Sequence, residues 1–362
     1  MKVALCHQGF ATGDAIGNDI AGMYRLLEKL DLEPVVICDW HTRNHGFRIC
    51  RAAGADWRSY DLIVYHHSQY WQAGDELLRE AQCPIIFKYH CITPAHFFQP
   101  YQQKFYDVCR RGKEQTKRFL KADSSTWLSD SHFNKAELIQ EGADLENVHV
   151  VPPFNQVNEL LPLQPTSNYG SDRIELLFVG RIAPNKGHLH LLRVLSVIVY
   201  ELRKPARLRI VGFVDPTLSD YHSEIDQQIC TLRLQNHVEI YPHCPGDDLL
   251  EFYRRAHIYL CLSEHEGFNV PIVESQALGL PVLGAAAGAT AETAGPDQLF
   301  SKVPASAEDD HFYAALAEKI FVDEQLRAQL TLDGERNVIQ RFTDEPIENA
   351  FVNALYDAID RS

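Results

Sequence analysis

The sequence predicts an α/β protein of two domains, each built on a parallel sheet with helices on both faces. The chain has 362 residues, which is more than a single hydrophobic core usually holds. Short apolar runs alternate with longer helical patterns in both halves, as in parallel sheets wound on both faces. Residues 154–173 are rich in Pro, Asn and Ser, which is typical of a linker between domains.

The first domain is predicted over residues 1–155. It starts with the apolar run Val3–Cys6, a glycine-containing turn and a helix near residues 19–30. The glycines of this turn do not match the GxGxxG spacing of dinucleotide-binding proteins, so that function is disfavoured. Further strands are predicted at 34–38, 61–65, 84–89, 124–128 and 148–151.

Histidines follow two of these predicted strands. The run His66-His67-Ser68 comes after residues 61–65, and His90 comes after residues 84–89. Residues just beyond the carboxyl ends of parallel strands line the ligand crevice in open α/β sheets. A neutral imidazole can hydrogen-bond a hydroxyl or share a proton near pH 7, so His90 is a candidate site residue. For His66–Ser68, ligand contact and an ordinary polar loop both remain open.

The second domain is predicted over residues 172–342, and one stretch of it, Cys261–Gly284, has the features of a ligand site. It reads as strand, loop, helix and strand, with Pro271 in the first helical turn and Gly279 where the helix ends. The loop Glu266–Asn269 precedes the helix, and helix N-termini offer N–H groups to anions. Glu274 lies about one turn into the helix, so it and Glu266 can face one ligand.

Two cations lie on the first strand–loop–helix turn of the second domain. Arg181 follows the predicted strand 174–179, and Lys186 precedes the predicted helix 188–203. They are five residues apart across the turn, so both can reach one anion.

Three segments carry a resemblance to a known family. SEHEGFNVPIVESQALGLPV resembles the signature of family 4 glycosyltransferases, and LLFVGRIAPNKG resembles the other donor-site motif of that family. KYHCITPAHFF is similar to a segment of bacterial polysaccharide glycosyltransferases. The resemblance implies the GT-B fold, in which two Rossmann-like domains face a cleft. It also implies retaining, metal-independent transfer of a hexose from a nucleotide-diphosphate sugar, GDP-mannose or a UDP-sugar. The implied acceptor is a saccharide or a lipid-linked saccharide in surface polysaccharide synthesis.

The resemblance also assigns roles to residues. Glu274 is expected to bind the ribose, and Glu266 the hydroxyls of the transferred sugar. The diphosphate is expected to contact Arg181, Lys186 and the backbone of Gly267, Phe268 and Asn269. The catalytic set is then His90, Glu266, Arg181 and Lys186, with no metal and no cofactor besides the donor substrate. Remaining donor contacts are expected at Gly13, Asp14, Gly180, Gly212 and Tyr241, the last beside the base together with His243. A final helix, about 343–362, is expected to pack back on the first domain.

The bulk composition excludes several functions. The net charge of −15 disfavours a nucleic-acid partner. Nine scattered cysteines without a CxxC pair indicate reduced thiols and a cytoplasmic location. No apolar stretch reaches 18 residues, and the apolar run near Met1 is too short for a signal peptide.

Residues 101–121 are unusually basic for an acidic protein. They carry seven Lys or Arg residues against two acidic ones, on a predicted helix that Gly112 is expected to interrupt. Such a segment can lie on the inner face of a membrane or face a lipid diphosphate, and an ordinary solvated helix remains an alternative.

Two other functions stay open at this stage. Nucleotide-sugar 2-epimerases share the architecture and act on the donor without an acceptor. A binding scaffold could keep the fold without turnover, although the complete set Arg181, Lys186, Glu266 and Glu274 argues against it.

Overall fold

The computed structural model describes residues 1–42, 46–121, 126–163, 169–242, 244, 246–301 and 306–360. The chain divides into two compact units. Unit 1 contains Met1–Ala95, Lys104–Gln156 and Arg341–Ser362. Unit 2 contains His96–Gln103 and Val157–Gln340.

The segment His96–Gln103 groups with unit 2, whereas the sequence assigned it to the first domain. Its side chains explain the difference. The ring of Tyr101 packs edge-on against Tyr221, with ring centres 5.1 Å apart, and its hydroxyl donates to Glu224 Oε2 at 2.7 Å. Gln102 Nε2 donates to the carbonyl oxygen of Thr217 at 3.0 Å. Composition alone gives no information on such contacts, so a domain boundary predicted from it can be displaced.

Unit 1 is built on a seven-stranded parallel sheet. Its strands are β1 (Lys2–Cys6), β3 (Glu33–Cys38), β5 (Ile49–Arg51), β6 (Leu62–His67), β7 (Ile85–Tyr89), β8 (Thr126–Ser129) and β9 (Val148–Val150), while β2 (Gly9–Phe10) and β4 (Trp40–His41) form a separate pair. The order is β5-β3-β1-β6-β7-β8-β9, so the direction of winding reverses between β1 and β6. The predicted start of one strand, residues 124–125, lies outside the described residues.

Unit 2 is built on a six-stranded parallel sheet. Its strands are β10 (Ile174–Val179), β11 (Ala206–Val211), β12 (Val238–Tyr241), β13 (Ile258–Cys261), β14 (Val282–Ala285) and β15 (Leu299–Ser301). The order β12-β11-β10-β13-β14-β15 places the reversal between β10 and β13. Together the two sheets confirm the predicted α/β class with parallel strands.

Helices connect the strands in both units. In chain order they are α1 (Ala15–Lys29), α2 (Gln72–Glu80), α3 (Gln103–Phe119), α4 (His132–Gln140), α5 (Val157–Leu160), α6 (His188–Ser196), α7 (Ser219–Thr231), α8 (Gly246–Arg255), α9 (Val270–Ala277), α10 (Thr290–Ala294), α11 (Asp310–Val322), α12 (Glu324–Arg341) and α13 (Asp344–Asp360). A π-helical segment, Val197–Glu201, continues α6.

Alternate residues of each strand pack into the apolar layers on the two faces of the sheet. In unit 2, Leu176 and Phe178 of β10 pack with α6 on one face, and Leu177 packs with Tyr253 on the other. In unit 1, the hydrophobic core that contains residues of β1 also contains Phe351 of α13, so this last helix belongs to the unit. Buried parallel strands therefore read as continuous apolar runs in the sequence.

Helix α3 passes through Gly112 without a break, so the predicted interruption is wrong. A Cβ atom at this position would lie 2.9 Å from the backbone nitrogen of Tyr70 and 3.1 Å from Ile92. The glycine allows the helix to approach a neighbouring loop closely, which is a packing role that sequence alone does not distinguish from a helix break.

Most charges of α3 are engaged by nearby acids. Arg110 pairs with Glu114 at 2.6 Å, and three further cations of the helix pair with acids on other elements, namely Lys113 with Glu137, Lys117 with Glu141 and Arg118 with Asp75. Within the described ranges, no helix is long and apolar enough to cross a membrane. None of the nine cysteines forms a disulfide.

We expect acid to destabilise both units, because each contains a buried histidine. Burial lowers the pKa of His67 in unit 1 and of His188 in unit 2 to about 3, from an ordinary value of 6.5. Both stay neutral when folded but take up a proton when unfolded below pH 6.5. Stability is therefore complete above pH 6.5 and is lost as the pH falls, by about 2 kcal/mol per histidine at pH 5.

The substitution His188→Gln tests this expectation. We expect urea unfolding to show that the loss of stability between pH 7 and pH 5 is about 2 kcal/mol smaller in the variant. The control is His311→Gln, at a histidine whose side chain is 68% exposed. Equal losses in His188→Gln and the unsubstituted protein would contradict the prediction.

Candidate functional site

The reversal point of the unit 2 sheet brings two predicted motifs together. The strands β10 and β13 are neighbours, and each continues at its carboxyl end into a loop. The β10 loop carries Arg181 and Lys186, and the β13 loop carries Glu266. Ligands of open parallel sheets bind at such a reversal, because the loops on its two sides diverge and leave a crevice.

Backbone contacts hold these two loops against each other. Glu264 N donates to the carbonyl oxygen of Asn185 at 2.8 Å, and Asn185 Nδ2 donates to the carbonyl oxygen of His265 at 3.1 Å. Gly187 ends the first loop with φ +69°, and a Cβ there would lie 1.9 Å from the carbonyl oxygen of Leu262. Only glycine fits this position, since both the conformation and the space exclude a side chain.

Lys186 and Glu266 form an ion pair across the two loops. Lys186 Nζ donates to Glu266 Oε1 at 2.8 Å and to Oε2 at 2.7 Å. The side chains are only 19% and 8% exposed, so solvent screens the pair weakly. Asn269 Nδ2 adds a hydrogen bond to Glu266 Oε1 at 3.2 Å. The residues expected to bind diphosphate and sugar are therefore bonded directly to each other.

The loop before α9 is fixed by its neighbours. Ala289 N donates to the carbonyl oxygen of Glu266 at 2.9 Å, and Thr293 Oγ1 donates to the carbonyl oxygen of Phe268 at 2.7 Å. Asn269 precedes the helix with φ +79°, and Pro271 is the second residue of α9, within the predicted first turn. Gly267 and Phe268 also interact with other residues of the chain.

Glu274 lies one turn into α9 and is held by a tyrosine that was not predicted from the sequence. Tyr253 of α8 donates its hydroxyl to Glu274 Oε2 at 2.6 Å. Burial raises the pKa of the Glu274 carboxyl, and the tyrosine bond opposes the rise. The carboxylate can accept ligand hydroxyls once it is ionised, so this acid is suited to bind a ribose.

Gly180, Arg181 and Gly212 lie at adjoining strand ends. Gly180 N donates to the carbonyl oxygen of Val211, and a Cβ on Gly212 would lie 2.0 Å from the carbonyl oxygen of Gly180. Arg181 is exposed. Within the described part of the chain, its guanidinium forms no hydrogen bond and no ion pair, so its donors are available to a ligand.

The backbone carbonyl oxygen of Tyr241 accepts a hydrogen bond from Gly212 N at 3.0 Å, and its side chain lines a cavity of about 500 Å³ between β12 and α8. Its ring packs on Phe252 with ring centres 4.5 Å apart, and its hydroxyl donates to Glu239 Oε2 at 3.0 Å. Among described residues, the lining includes none of the other predicted site residues. The predicted contact at His243 lies outside the described residues.

In unit 1, Gly13 and Asp14 form the start of α1. Asp14 Oδ1 accepts from Gly17 N at 2.6 Å and so caps the helix, while Gly13 N donates to Asn18 Oδ1 at 3.0 Å. Gly13 has φ +105°, a conformation that favours glycine. These contacts give both residues a structural role, and their expected donor contact stays a prediction.

His90 lies at the end of β7 with both ring nitrogens bonded inside unit 1. Nδ1 faces Asp130 Oδ2 at 3.0 Å, and Nε2 faces His66 Nδ1 at 2.9 Å. Asp130 in turn pairs with Lys88. Neither Asp130 nor Lys88 was predicted from the sequence. The available signals were a lysine inside the apolar run of β7 and an aspartate directly after β8.

Comparison with known proteins identifies relatives of both halves. A family model described as "Glycosyl transferases group 1" matches residues 164–336. The D-inositol 3-phosphate glycosyltransferase of Thermobifida fusca is 27% identical over 343 residues, covering 90% of this chain and 75% of that protein. The enzyme of the same name from Acidothermus cellulolyticus is 26% identical over 358 residues, covering 94% and 76%.

Solved structures share the fold along the whole chain. HepE of Anabaena, in complex with UDP and glucose, superposes with a TM-score of 0.76 at 19% identity, covering 99% of this chain and all of that one. Sucrose-phosphate synthase of Thermosynechococcus elongatus gives a TM-score of 0.78 at 17% identity, with full coverage of both chains. WaaG, described as a glycosyltransferase involved in lipopolysaccharide biosynthesis, gives 0.70 at 14% identity, covering 97% and 98%.

The fit of Gly187 can be tested against a matched glycine. Gly54 has a similar φ of +84°, but a Cβ there would have no heavy atom within 4 Å. We expect Gly54→Ala to cost only the conformational penalty, about 1 kcal/mol. Gly187→Ala adds the overlap with Leu262 and should lower the unfolding temperature clearly further. Equal shifts in a thermal unfolding experiment would show that the two loops are not packed as described.

Proposed function

Because this chain is a glycosyltransferase of the GT-B fold whose residues 164–336 belong to the group 1 family, we propose that it transfers a hexose from a nucleotide-diphosphate sugar to a saccharide acceptor. The observation that carries the proposal is the Lys186–Glu266 pair. It joins the two motifs that the donor must contact, at the reversal point of the sheet.

The pair supplies complementary groups for the two ends of a donor. A diphosphate needs cations and N–H donors, while sugar hydroxyls need acceptors. A bound diphosphate offers new acceptors to the Lys186 ammonium, and a sugar hydroxyl offers a new donor to the Glu266 carboxylate. Lys186 and Glu266 therefore both keep a partner when their contact with each other is replaced by contacts with the ligand.

The cations also suit the departure of the nucleotide. Negative charge on the diphosphate grows as its bond to the sugar breaks, so Lys186 and Arg181 stabilise the transition state more than the bound donor. We propose that these two side chains take the place of a divalent metal. Retention of configuration is part of the proposal by family resemblance.

We propose a UDP-sugar as the donor, with GDP-mannose as the second candidate. The likeness to HepE, which was solved with UDP and glucose, supports a uracil nucleotide. Glu274 would accept hydrogen bonds from the ribose, with Tyr253 holding the carboxylate in place.

We propose a saccharide or lipid-linked saccharide as the acceptor, in surface polysaccharide synthesis at the cytoplasmic face of the inner membrane. The likeness to WaaG supports this setting. Residues 101–121 would contact the membrane surface. Since four of their cations pair with acids, fewer positive charges face outward than the composition indicates.

A nucleotide-sugar 2-epimerase is the alternative that shares the architecture. The family match and the relatives named as glycosyltransferases favour transfer. Incubation with donor alone separates the two activities, because an epimerase isomerises the donor sugar without any acceptor.

The role of Lys186 is tested by the substitution Lys186→Ala. A thermal-shift screen of UDP-, GDP- and ADP-sugars first identifies the donor, since a ligand at 100 times its Kd adds about 2.7 kcal/mol to stability. We then expect Lys186→Ala to lower kcat/KM by about two orders of magnitude or more, roughly 3 kcal/mol of transition-state stabilisation.

The matched control for this experiment is Lys204→Ala. Lys204 pairs with Glu318 at 2.8 Å on the surface of the same unit, so its loss removes an ion pair without touching the site. Near-normal turnover by Lys186→Ala, or an equal loss in Lys204→Ala, would reject the assignment.

Membrane contact is tested by cosedimentation with lipid vesicles. We expect the protein to bind vesicles that contain phosphatidylglycerol more than neutral vesicles, because anionic lipids attract basic segments. Reversing the charges of Arg110, Arg111, Lys117 and Arg118 should abolish the difference. Absence of binding by the unsubstituted protein would reject this part of the proposal, and the unfolding temperature of the variant serves as a control for its fold.

A further inference from the structure

A cluster of buried ionisable side chains surrounds His90 in unit 1. We call it the histidine cluster, and it consists of Asp19, His66, Lys88, His90 and Asp130. Four members come from or directly follow the neighbouring strands β6 to β8 at their carboxyl ends, and Asp19 comes from α1. Their side chains are at most 6% exposed. Of these five residues only His90 belongs to the catalytic set expected from the sequence, so the other four need an explanation.

One side of His90 meets a carboxylate that is itself fixed. Asp130 Oδ2 lies 3.0 Å from His90 Nδ1, and Asp130 Oδ1 lies 2.7 Å from Lys88 Nζ. Lys88 is fully buried and also donates to the carbonyl oxygen of Val151. Although burial opposes it, His90 and Lys88 lower the pKa of Asp130. An ionised carboxylate only accepts hydrogen bonds, so Nδ1 of His90 must carry the proton.

The other side of His90 meets a second imidazole. His90 Nε2 lies 2.9 Å from His66 Nδ1, and the ring planes differ by 12° with centres 5.1 Å apart. With 2.9 Å between the two nitrogens, the ring centres cannot lie much farther apart than 5.1 Å. They reach this distance only when both nitrogens lie close to the line between the ring centres. With the proton of His90 on Nδ1, its Nε2 lone pair accepts the N–H of His66.

A metal ion is the competing explanation for this side of the cluster. Asp19 Oδ2 has no hydrogen-bond partner among the described residues and lies 3.6 Å from His66 Nδ1 and 3.7 Å from His90 Nε2. These three atoms are close enough together to surround a cation. However, metal ligands point their lone pairs at a common third point, whereas the two imidazoles point at each other. The ring geometry therefore favours a hydrogen bond.

We propose that Asp130 is a positioning residue for His90, and that Lys88 acts by holding Asp130 in place. Asp130 keeps the proton of His90 on Nδ1 and fixes the ring plane. His90 Nε2 is then the nitrogen that accepts a hydrogen bond from a hydroxyl of the nucleotide sugar, when that hydroxyl replaces His66. The function of this arrangement in turnover rests on the proposed glycosyl transfer. The tautomer itself does not depend on it.

The test removes the ion pair as a unit. Asp130→Asn alone would leave the buried Lys88 ammonium without its carboxylate and could unfold the protein. The double variant Lys88→Met/Asp130→Asn removes both charges together, and the amide can donate to Nδ1. Long-range ¹H–¹⁵N correlation spectra of protein labelled with ¹⁵N-histidine report the tautomer, and His90→Ala identifies the His90 signals. We expect the Nδ1–H form in the unsubstituted protein and a shift toward Nε2–H in the double variant.

Kinetics provide the second readout. With the donor identified above, we expect kcat to fall by about 10- to 100-fold in the double variant while KM changes by less than about threefold, as when a supporting partner of a site residue is lost. In a His90→Ala background, the same double substitution should cause no further loss, because the two act through one group. The matched control is Lys113→Met/Glu137→Gln, which removes a different, partly buried ion pair of unit 1. We expect it to leave both the tautomer and kcat unchanged.

The outcomes separate this inference from the proposed function. An unchanged tautomer in Lys88→Met/Asp130→Asn overturns the positioning role, whatever happens to turnover. A changed tautomer with unchanged turnover supports the positioning role and rejects the part of His90 in the proposed reaction. Stoichiometric zinc that is lost in His66→Gln would also overturn the inference, because a metal would then occupy the Nε2 lone pair.

Discussion

The contact between Lys186 and Glu266 joins two loops that lie 80 residues apart in the sequence. Each charge is largely removed from water, and a buried charge without a partner costs several kcal/mol. The pair therefore keeps the β10 and β13 loops together, and the hydrogen bonds of Asn185 and Asn269 add to the same arrangement. A site with both signs of charge depends on this closeness, because neither loop alone offers both a Lys or Arg and a carboxylate.

The backbone makes this closeness possible through glycine. At Gly187 the first loop meets the carbonyl group of Leu262, and at Gly288, with φ +61°, a Cβ would lie 2.1 Å from the carbonyl oxygen of Glu266. The chain segments before and after the β13 loop thus touch it backbone to backbone. Such contacts leave little freedom, so the positions of Lys186 and Glu266 follow from the packing of main-chain atoms rather than from long flexible side chains.

The sequence predicted the parts of the fold that follow from local pattern. The strands Ile174–Val179 and Val238–Tyr241 have their predicted bounds, because an apolar run between turn residues is a sufficient signal for a buried parallel strand. The short strands β2, β4 and β5 gave no such signal with two or three residues each. Gly112 was misread because a glycine that breaks a helix and one that allows close packing look alike in sequence.

The contacts between site residues were beyond sequence pattern. Motif resemblance predicted which residues contact the donor, but not that Lys186 and Glu266 bond to each other. The expected contact of Tyr241 with the base stays a prediction, while the packing of its ring on Phe252, between β12 and α8, was not predicted. Pairings of this kind depend on where separate loops and helices meet, and that is decided by the packing of the whole unit. For the same reason Asp130 and Lys88 were missed, although they lie close to His90.

Each unit contains a lysine–carboxylate pair near the carboxyl ends of its strands, and the difference between the two pairs separates their roles. The side chain of Lys186 is 19% exposed, and its ammonium bonds only to Glu266 among described acceptors, so a ligand that reaches it can replace that contact. Lys88 is fully buried and is also bound by the carbonyl oxygen of Val151. Replacing its carboxylate would leave a charge without compensation in an apolar interior. These differences agree with the two proposals, in which the first pair exchanges its contact for an anionic ligand and the second holds Asp130 against His90.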